Sequence, residues 1–221
     1  MGGRLLVLIC VAAGHATALV AAPQRVLCYG DSLTAGTSPP LDALYPYAAV
    51  LENAIGSSVL VRHRGIPGAT AAMLLQCVDD EQRGLRSLLR KSSPSLAIIL
   101  VGTNDLGYHS ESAIVHAIRS LHEHSHALSV PTLAVGIPPS AYQAMHSEAA
   151  ELANQVNREL RAWCEGCEGG LCAYVDHPIS SWSSEDDRWA PDGLHFSPAG
   201  YAAVGEGLAG VVAERLRVGR R

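Results

Sequence analysis

The sequence predicts an α/β fold in which helices cover both faces of a mainly parallel β-sheet. Two observations support this fold class. Five short runs of apolar, β-type residues alternate along the chain with segments of helical periodicity, which is the pattern of repeated β-α-β units. The third run, 96–101 (LAIILV), is apolar at every position, as is typical of a strand buried on both faces of a sheet.

The elements in the first half of the chain are bounded by residues that break regular structure. Its three strand-like runs each lead into a glycine-containing turn: 25–29, 58–62 and 96–101. Helical periodicity over 47–55 ends at Gly56, a residue type that commonly terminates helices. Two shorter helical stretches, 69–77 and 80–91, occupy the interval before the third strand.

The second half of the chain continues this alternation. Its predicted segments follow in the order helix, strand, helix, strand, loop and helix: 113–128, 132–137, 141–163, 171–175, 177–196 and 198–216. Pro138 and Pro139 end the fourth strand, because proline has no N–H to donate to a sheet. Ser197 is a favourable N-cap directly before Pro198. No repeat or linker separates these segments, so we expect residues 23–221 to form a single domain.

Composition and charge exclude two broad classes of protein. Hydrophobic residues make up 48% of the 221 residues and charged residues 17%, which excludes a disordered chain. The formal net charge is −5, and the basic residues are scattered except for a short arginine cluster at the C-terminus. Because no basic stripe could follow a phosphate backbone, we expect no nucleic-acid partner. No feature of the sequence specifies an oligomeric state.

The N-terminus has the pattern of a secretory signal peptide, which we expect to occupy residues 1–22. The apolar run 5–13 (LLVLICVAA) follows Arg4, and an A-x-A pattern follows at 16–18. The run is too short to span a bilayer as a helix, so we expect no stable membrane insertion. Cleavage would make the protein secreted, whereas a retained N-terminus would leave it intracellular.

Five cysteines remain if the segment that contains Cys10 is removed. Cys28 lies in an apolar run, so we interpret it as a small buried hydrophobic residue. Three others form a compact glycine-rich cluster, CEGCEGGLC: Cys164, Cys167 and Cys172. Two of these three could form a disulfide in an oxidising compartment, in any of the pairings. A zinc site is the weaker alternative, because three thiols lack an obvious fourth ligand.

Five residues with chemically useful groups lie just after predicted strands. Ser32 follows the first strand, Gly65 the second and Asn104 the third, while Asp192 and His195 lie in the loop after the fifth. The carboxyl ends of parallel strands meet at one edge of a sheet, and sites in open α/β folds form there. We therefore expect these five residues to converge, although long stretches of sequence separate them.

This set of residues has the groups that acyl transfer needs. A serine hydroxyl attacks an ester only if a base takes its proton, and His195 is the candidate base for Ser32. Asp192, three residues earlier, can accept a hydrogen bond from His195 Nδ1–H and fix the orientation of the ring. The developing oxyanion needs donors, for which we expect the backbone N–H groups of Ser32 and Gly65 and the side-chain amide of Asn104.

Four blocks of the sequence resemble those of the SGNH (GDSL) hydrolases in order, spacing and position. The blocks are GDSLT at 30–34, Gly65, GTND at 102–105 and DGLH at 192–195. The resemblance covers about residues 25–216. It implies a three-layer α/β/α sandwich around a flavodoxin-like five-stranded parallel sheet. One departure is His63, which stands two residues before the glycine, where the family often has Asn.

The resemblance also implies roles for individual residues. Ser32 is the nucleophile, His195 the base and Asp192 the residue that orients the base. Ser32, Gly65 and Asn104 form the oxyanion hole, and neither a cofactor nor a metal takes part. Asp31 lies beside the nucleophile and cannot easily also orient the histidine, so we interpret it as structural.

We therefore expect a serine esterase that forms an acyl-enzyme on Ser32. The family spans lysophospholipases, thioesterases, arylesterases and carbohydrate acetylesterases, so the substrate is a small-molecule, lipid or carbohydrate ester. Small or medium acyl groups are expected, because the compact chain has no obvious lid. Four loops are expected to shape the pocket: 66–72, 105–112, 138–146 and 177–191.

Two alternatives assign a different function to the chain. Residues 122–126 (HEHSH) match the H-E-x-x-H signature of zinc metallopeptidases, with His122 and His126 as ligands and Glu148 or Glu151 as a third. The predicted helix 113–128, which contains these residues, is a crossover between the third and fourth strands, and its exposed face points away from the carboxyl ends of the strands. We therefore interpret this stretch as a solvated polar helix face. The second alternative is a non-catalytic binding module on the same fold, against which the complete serine, aspartate and histidine set argues.

Overall fold

The computed structural model describes residues 22–218, which fold around a five-stranded parallel β-sheet. The strands are β1 (Gln24–Gly30), β2 (Val59–Gly65), β3 (Leu96–Leu100), β4 (Thr132–Val135) and β5 (Cys172–Val175). They lie side by side in the order β2-β1-β3-β4-β5, and every neighbouring pair is parallel. Because this is the strand order of flavodoxin-like sheets, the predicted fold class is confirmed.

Eight α-helices surround the sheet in the part of the chain that the structure describes. They are α1 (Ser32–Ala35), α2 (Tyr47–Ile55), α3 (Ala71–Gln76), α4 (Leu85–Ser92), α5 (Glu111–His126), α6 (Ala141–Met145), α7 (Ser147–Glu165) and α8 (Pro198–Val218). Helices α3, α4, α5 and α7 contribute to the hydrophobic core on one face of the sheet. Helices α1, α2 and α8 contribute to the core on the other face.

Strand β1 shows why the sheet is buried on both faces. Leu27 and Tyr29 belong to one core, whereas Val26 and Cys28 belong to the other, because successive side chains point to opposite faces. Cys28 is fully buried, as expected, and burial raises the pKa of its thiol to about 12. All cysteines of the described residues, including the three of the glycine-rich cluster, are free thiols.

The predicted helix 141–163 is wrong in one respect, because the structure divides it into α6 and α7 at His146. This residue has an extended backbone (φ −128°, ψ 95°). No residue of α6 is buried, so the core does not hold α6 on the axis of α7. The backbone N–H of Ala141 instead donates to the carbonyl of Gly193 at 2.8 Å, which ties α6 to the loop after β5.

Helix α4 begins at Leu85, five residues later than the predicted stretch 80–91. The side chain of Asp80 accepts hydrogen bonds from the backbone N–H groups of Gln82 and Arg83, at 3.0 and 2.9 Å. Such local bonds favour a turn over a helix, so this aspartate closes a turn and the helix starts after it.

The predicted signal peptide lies almost entirely outside the described residues, since the structure describes nothing before residue 22. It therefore stays a prediction. Within residues 22–218, no helix combines the length and the apolar character that crossing a membrane requires.

Candidate active site

Ser32 lies at the carboxyl edge of the sheet, where β1 turns sharply into α1. Asp31 caps this helix, because its Oδ1 accepts a hydrogen bond of 2.9 Å from the backbone N–H of Leu33. Gly36 ends the helix after one turn with a left-handed backbone (φ 85°), and a Cβ there would lie 2.2 Å from the backbone of Pro46. The tight turn holds Ser32 at the end of β1, where it is nearly buried.

Ser32, His195 and Asp192 form a continuous hydrogen-bonded chain. His195 Nε2 lies 2.9 Å from Ser32 Oγ, and His195 Nδ1 lies 2.6 Å from Asp192 Oδ2. The second carboxylate oxygen of Asp192 accepts from the backbone N–H groups of Leu194 and His195, both at 3.0 Å. The structure therefore brings together the three residues that the sequence predicted, although 163 positions separate the serine from the histidine.

The environment of Asp192 keeps it ionised. Burial raises the pKa of this carboxyl, but the hydrogen bonds from the His195 side chain and from the backbone N–H groups of His195 and Leu194 outweigh it. The net result is a pKa below the usual value for aspartate. A carboxylate in this position favours the Nδ1–H tautomer of the histidine, which leaves Nε2 free to accept a proton from the serine.

The loop that holds His195 is closed by backbone contacts rather than by regular structure. Trp189 and Phe196 form an isolated antiparallel bridge, and the backbone N–H of Ala190 donates to the carbonyl of His195 at 2.9 Å. Gly193 adopts a left-handed backbone (φ 65°) between them. A Cβ on Gly193 would lie 2.5 Å from the Cβ of Ala141, so glycine is needed where this loop contacts α6.

The two further oxyanion-hole candidates lie at or just after the carboxyl ends of β2 and β3, the strands on either side of β1. Asn104 follows β3, and its Nδ2 donates one hydrogen bond of 2.9 Å to the carbonyl of Ala69, which leaves the second amide hydrogen for a ligand. Gly65 is the last residue of β2. A Cβ on it would lie 2.1 Å from the backbone nitrogen of Ala35, so the close approach of α1 is itself a reason for glycine here. His63, the departure from the family pattern, has an exposed side chain.

Two buried carboxyl groups support the site, and the sequence indicated only one of them. Asp31 is fully buried, and its Oδ2 has no hydrogen-bond partner among the described residues. Burial, reinforced by the negative charge of Asp105, raises the pKa of Asp31 to about 7. Both carboxylate oxygens of Asp105 share the backbone N–H of Ala71, at 2.9 and 3.2 Å, which ties the turn after β3 to α3. The sequence block GTND indicated only a turn at this aspartate.

A cleft of about 970 Å³ opens beside Asn104 and Asp192. Its lining includes the exposed apolar side chains of Met73, Tyr142 and Met145. Three of the four loops that were expected to shape the pocket contribute to it: 66–72, 105–112 and 138–146. Residues of the fourth loop, 177–191, instead line a smaller separate depression of about 380 Å³.

The H-E-x-x-H match lies elsewhere in the molecule. His122 is fully buried, so the interpretation of this stretch as a solvated helix face is wrong for that residue, although Glu123 is exposed. His122 and His126 approach Cys172, rather than the glutamates that were considered as a third ligand. Their partners are the first residues of β4 and β5, so these histidines lie at the opposite edge of the sheet from Ser32.

Comparison with known proteins places this geometry in context. The model of the GDSL-like Lipase/Acylhydrolase family matches residues 28–203. No curated protein matches the sequence.

Solved structures share the fold at low sequence identity. Est24, a carbohydrate acetylesterase from Sinorhizobium meliloti, is 20% identical, with a TM-score of 0.66 over 86% of this chain and 99% of its own. An aryl esterase from M. smegmatis is 22% identical, with a TM-score of 0.63 over 88% and 99%. The psychrotrophic esterase EstA from Pseudoalteromonas sp. is 18% identical, with a TM-score of 0.67 over 88% and 99%.

Proposed function

Since the chain belongs to the GDSL-like lipase/acylhydrolase family and is accordingly an ester hydrolase, we propose that it cleaves carboxylic esters through an acyl-enzyme on Ser32. The observation that carries this proposal is the 2.9 Å contact between Ser32 Oγ and His195 Nε2. A serine hydroxyl becomes a nucleophile when a neutral imidazole within hydrogen-bond distance can take its proton. The carboxylate at 2.6 Å on the other side of the ring supports the same assignment.

In the first half of the proposed reaction, Ser32 Oγ attacks the carbonyl carbon of the ester while its proton moves to His195 Nε2. The carbonyl oxygen becomes an oxyanion that the backbone N–H groups of Ser32 and Gly65 and the Asn104 amide stabilise. His195 then gives the proton to the leaving alkoxide, the C–O bond breaks, and the alcohol departs.

In the second half, water replaces the alcohol. His195 Nε2 takes a proton from the water, whose oxygen attacks the acyl carbon. Return of that proton to Ser32 Oγ releases the carboxylic acid and restores the starting state. Asp192 stays ionised throughout and stabilises the imidazolium that forms in each half.

The cleft supports a substrate with a small or medium acyl group. Its volume of about 970 Å³ exceeds what an acetyl group needs, and it is open rather than covered by a lid. Met73, Tyr142 and Met145 offer apolar contact to an aliphatic chain. The formal net charge of −5 is better suited to an uncharged ester than to a polyanion.

The decisive experiment measures hydrolysis of p-nitrophenyl esters of increasing acyl length by the wild type and by Ser32→Ala. The variant is expected to lose roughly 10⁴–10⁶-fold in kcat, as is typical when a triad serine is removed. Ser57→Ala, at an exposed serine in a turn, is the matched control and should keep full activity. Full activity in Ser32→Ala would refute the acyl-enzyme, and tight ester binding without turnover by the wild type would favour a binding module.

We also propose that the mature protein is secreted. The support is the apolar run 5–13 between Arg4 and the A-x-A pattern at 16–18. Sequencing of the mature N-terminus tests this, and a retained Met1 would contradict it.

A further inference from the structure

Four side chains that can bind a metal meet at the amino edge of the sheet, and we refer to them as the amino-edge cluster: His122, His126, Thr132 and Cys172. The two histidines are one turn apart on α5, so their rings lie on the same side of that helix. Thr132 and Cys172 are the first residues of β4 and β5 and are register partners, so their side chains lie on the same face of the sheet.

The four donor atoms of the amino-edge cluster enclose a small space. Thr132 Oγ1 lies 2.8 Å from His122 Nδ1, 2.9 Å from His126 Nε2 and 3.5 Å from Cys172 Sγ. Cys172 Sγ lies 3.9 Å from His122 Nδ1, and the two nitrogens and the sulfur are all within 4.8 Å of one another. The threonine oxygen therefore lies close to all three of the other atoms.

The two nitrogens and the sulfur are somewhat farther apart than the ligands of a tetrahedral zinc site, whereas the threonine oxygen lies closer to both nitrogens. Zn–N bonds of about 2.0–2.1 Å and a Zn–S bond of about 2.3 Å place neighbouring ligand atoms about 3.3–3.6 Å apart. Small side-chain rotations that bring the nitrogens and the sulfur slightly closer would give this geometry.

We propose that His122 Nδ1, His126 Nε2 and the sulfur of Cys172 bind a divalent transition-metal ion of the zinc type, with Thr132 Oγ1 at the fourth position. Two imidazoles and a thiolate are borderline and soft donors that suit zinc, whereas calcium and magnesium require oxygen ligands. On binding, the Cys172 thiol releases its proton to solvent and its sulfur forms the metal bond, so no oxidation or reduction takes place.

The surroundings of the amino-edge cluster favour an ordered site. Trp163 packs against both rings, with centroid distances of 5.5 Å to His122 and 6.1 Å to His126. Within residues 22–218, His122 Nε2 has no hydrogen-bond partner, although this ring is fully buried.

The proposed ion has a structural role and does not depend on the proposed esterase function. His122 and Cys172 are buried, and the cluster lies at the opposite edge of the sheet from Ser32. The site therefore differs from that of a zinc peptidase, in which the metal faces a substrate cleft and a carboxylate acts as the base. An ion here would join α5 to β4 and β5 and stabilise the folded chain.

The experiment uses the full chain, reduced and stripped of metal with a chelator, and adds Co²⁺ as a spectroscopic substitute for Zn²⁺. We expect one Co²⁺ per chain, a thiolate-to-cobalt charge-transfer band in the near ultraviolet, and loss of that band when Zn²⁺ is added. Cys172→Ser should abolish the band. His126→Gln should weaken Zn²⁺ binding by at least about 10–100-fold, since even losses outside the ligand shell cost that much.

The matched controls are Cys77→Ser and His116→Gln. Cys77 is a free thiol outside the cluster, and His116 is an exposed histidine on the same helix as the two proposed ligands. Both variants should bind Co²⁺ as the wild type does.

A measurement on the unsubstituted protein guards against variants that fail to fold. Zn²⁺ should raise the melting temperature of the wild type and slow alkylation of Cys172, but not of Cys77, as mapped by mass spectrometry. Absence of the charge-transfer band in the reduced wild type, or its persistence in a folded Cys172→Ser variant, would overturn the proposal. Unprotected alkylation of Cys172 in the presence of Zn²⁺ would do the same.

Discussion

The two edges of the sheet each place histidine beside a hydroxyl group, yet they differ in what completes the arrangement. At the carboxyl edge, His195 lies between Ser32 Oγ at 2.9 Å and Asp192 Oδ2 at 2.6 Å. At the amino edge, His122 and His126 both approach a single threonine hydroxyl, and the next group is the sulfur of Cys172.

The comparison shows that a histidine–hydroxyl contact does not define a catalytic pair. The carboxylate at the carboxyl edge fixes one tautomer and leaves Nε2 directed at the Ser32 hydroxyl, and the same aspartate lines a cleft of about 970 Å³. In the amino-edge cluster, one nitrogen of each histidine and the sulfur lie within 4.8 Å of one another, an arrangement that suits the proposed ion rather than proton transfer. The group that accompanies the histidine and the hydroxyl, the Asp192 carboxylate at one edge and the Cys172 thiol at the other, therefore decides the chemistry.

The largest expected effect comes from making the same substitution at both edges. His195→Gln should reduce kcat roughly 10⁴–10⁶-fold, because a glutamine cannot take the proton of Ser32. His126→Gln removes a histidine that also contacts a hydroxyl, and it should change kcat less than about threefold, because its partner Thr132 lies at the opposite edge of the sheet from Ser32. Steady-state hydrolysis of a p-nitrophenyl ester measures both.

Circular dichroism of the two variants serves as the control for folding. A large loss of kcat in a folded His126→Gln variant, or a small loss in His195→Gln, would remove the proposed distinction between the edges.

Much of the carboxyl edge could be predicted from the sequence, because its features are local. The apolar run 96–101 and the turns that follow each strand are short-range patterns, and strand polarity alone brings their carboxyl ends together. The order of the blocks then predicted which residues meet at that edge. The break at His146 was missed because it depends on a bond between Ala141 and Gly193, which are distant in the sequence.

The amino-edge cluster could not be predicted in the same way. The histidines at i and i+4 were visible in the sequence, but the proposed third ligand is Cys172, 50 positions from His122. Its position depends on the register that pairs Thr132 with Cys172 across β4 and β5. Nothing local to either strand specifies that register, since it results from the packing of the whole sheet.

A smaller effect is expected from Asp31, which makes the carboxyl edge sensitive to pH. Its folded-state pKa of about 7 lies above the ordinary value of 3.8, so the folded protein binds this proton more tightly than the unfolded chain does. The resulting stability is fully present below about pH 4 and is lost as the pH rises through about 7. The loss amounts to roughly 4 kcal/mol, an order-of-magnitude figure from 1.36 kcal/mol per pKa unit.

Asp31→Asn tests this by keeping an oxygen that can accept from Leu33 N–H while removing the charge. The free energy of unfolding, measured with urea at pH 5 and pH 8.5, should fall with pH more steeply in the wild type than in the variant. Asp42→Asn, at an exposed aspartate in an irregular loop, is the matched control and should follow the wild type. Parallel pH profiles for Asp31→Asn and the wild type would show that Asp31 does not contribute.

The smallest expected effect concerns the apolar side chains that line the cleft at the carboxyl edge. Met145 is 72% exposed and lines the cleft, so it has apolar surface available for an acyl chain. Met145→Ala should lower kcat/KM for an octanoyl ester by about fourfold for each methylene that is no longer buried, because burial of one methylene contributes ~0.8 kcal/mol. The kcat/KM for the acetyl ester should not change.

Leu41→Ala, at another exposed apolar residue that does not line this cleft, is the control. An equal loss on both esters would mean that Met145 supports the site as a whole, whereas no loss on either would place the acyl chain elsewhere.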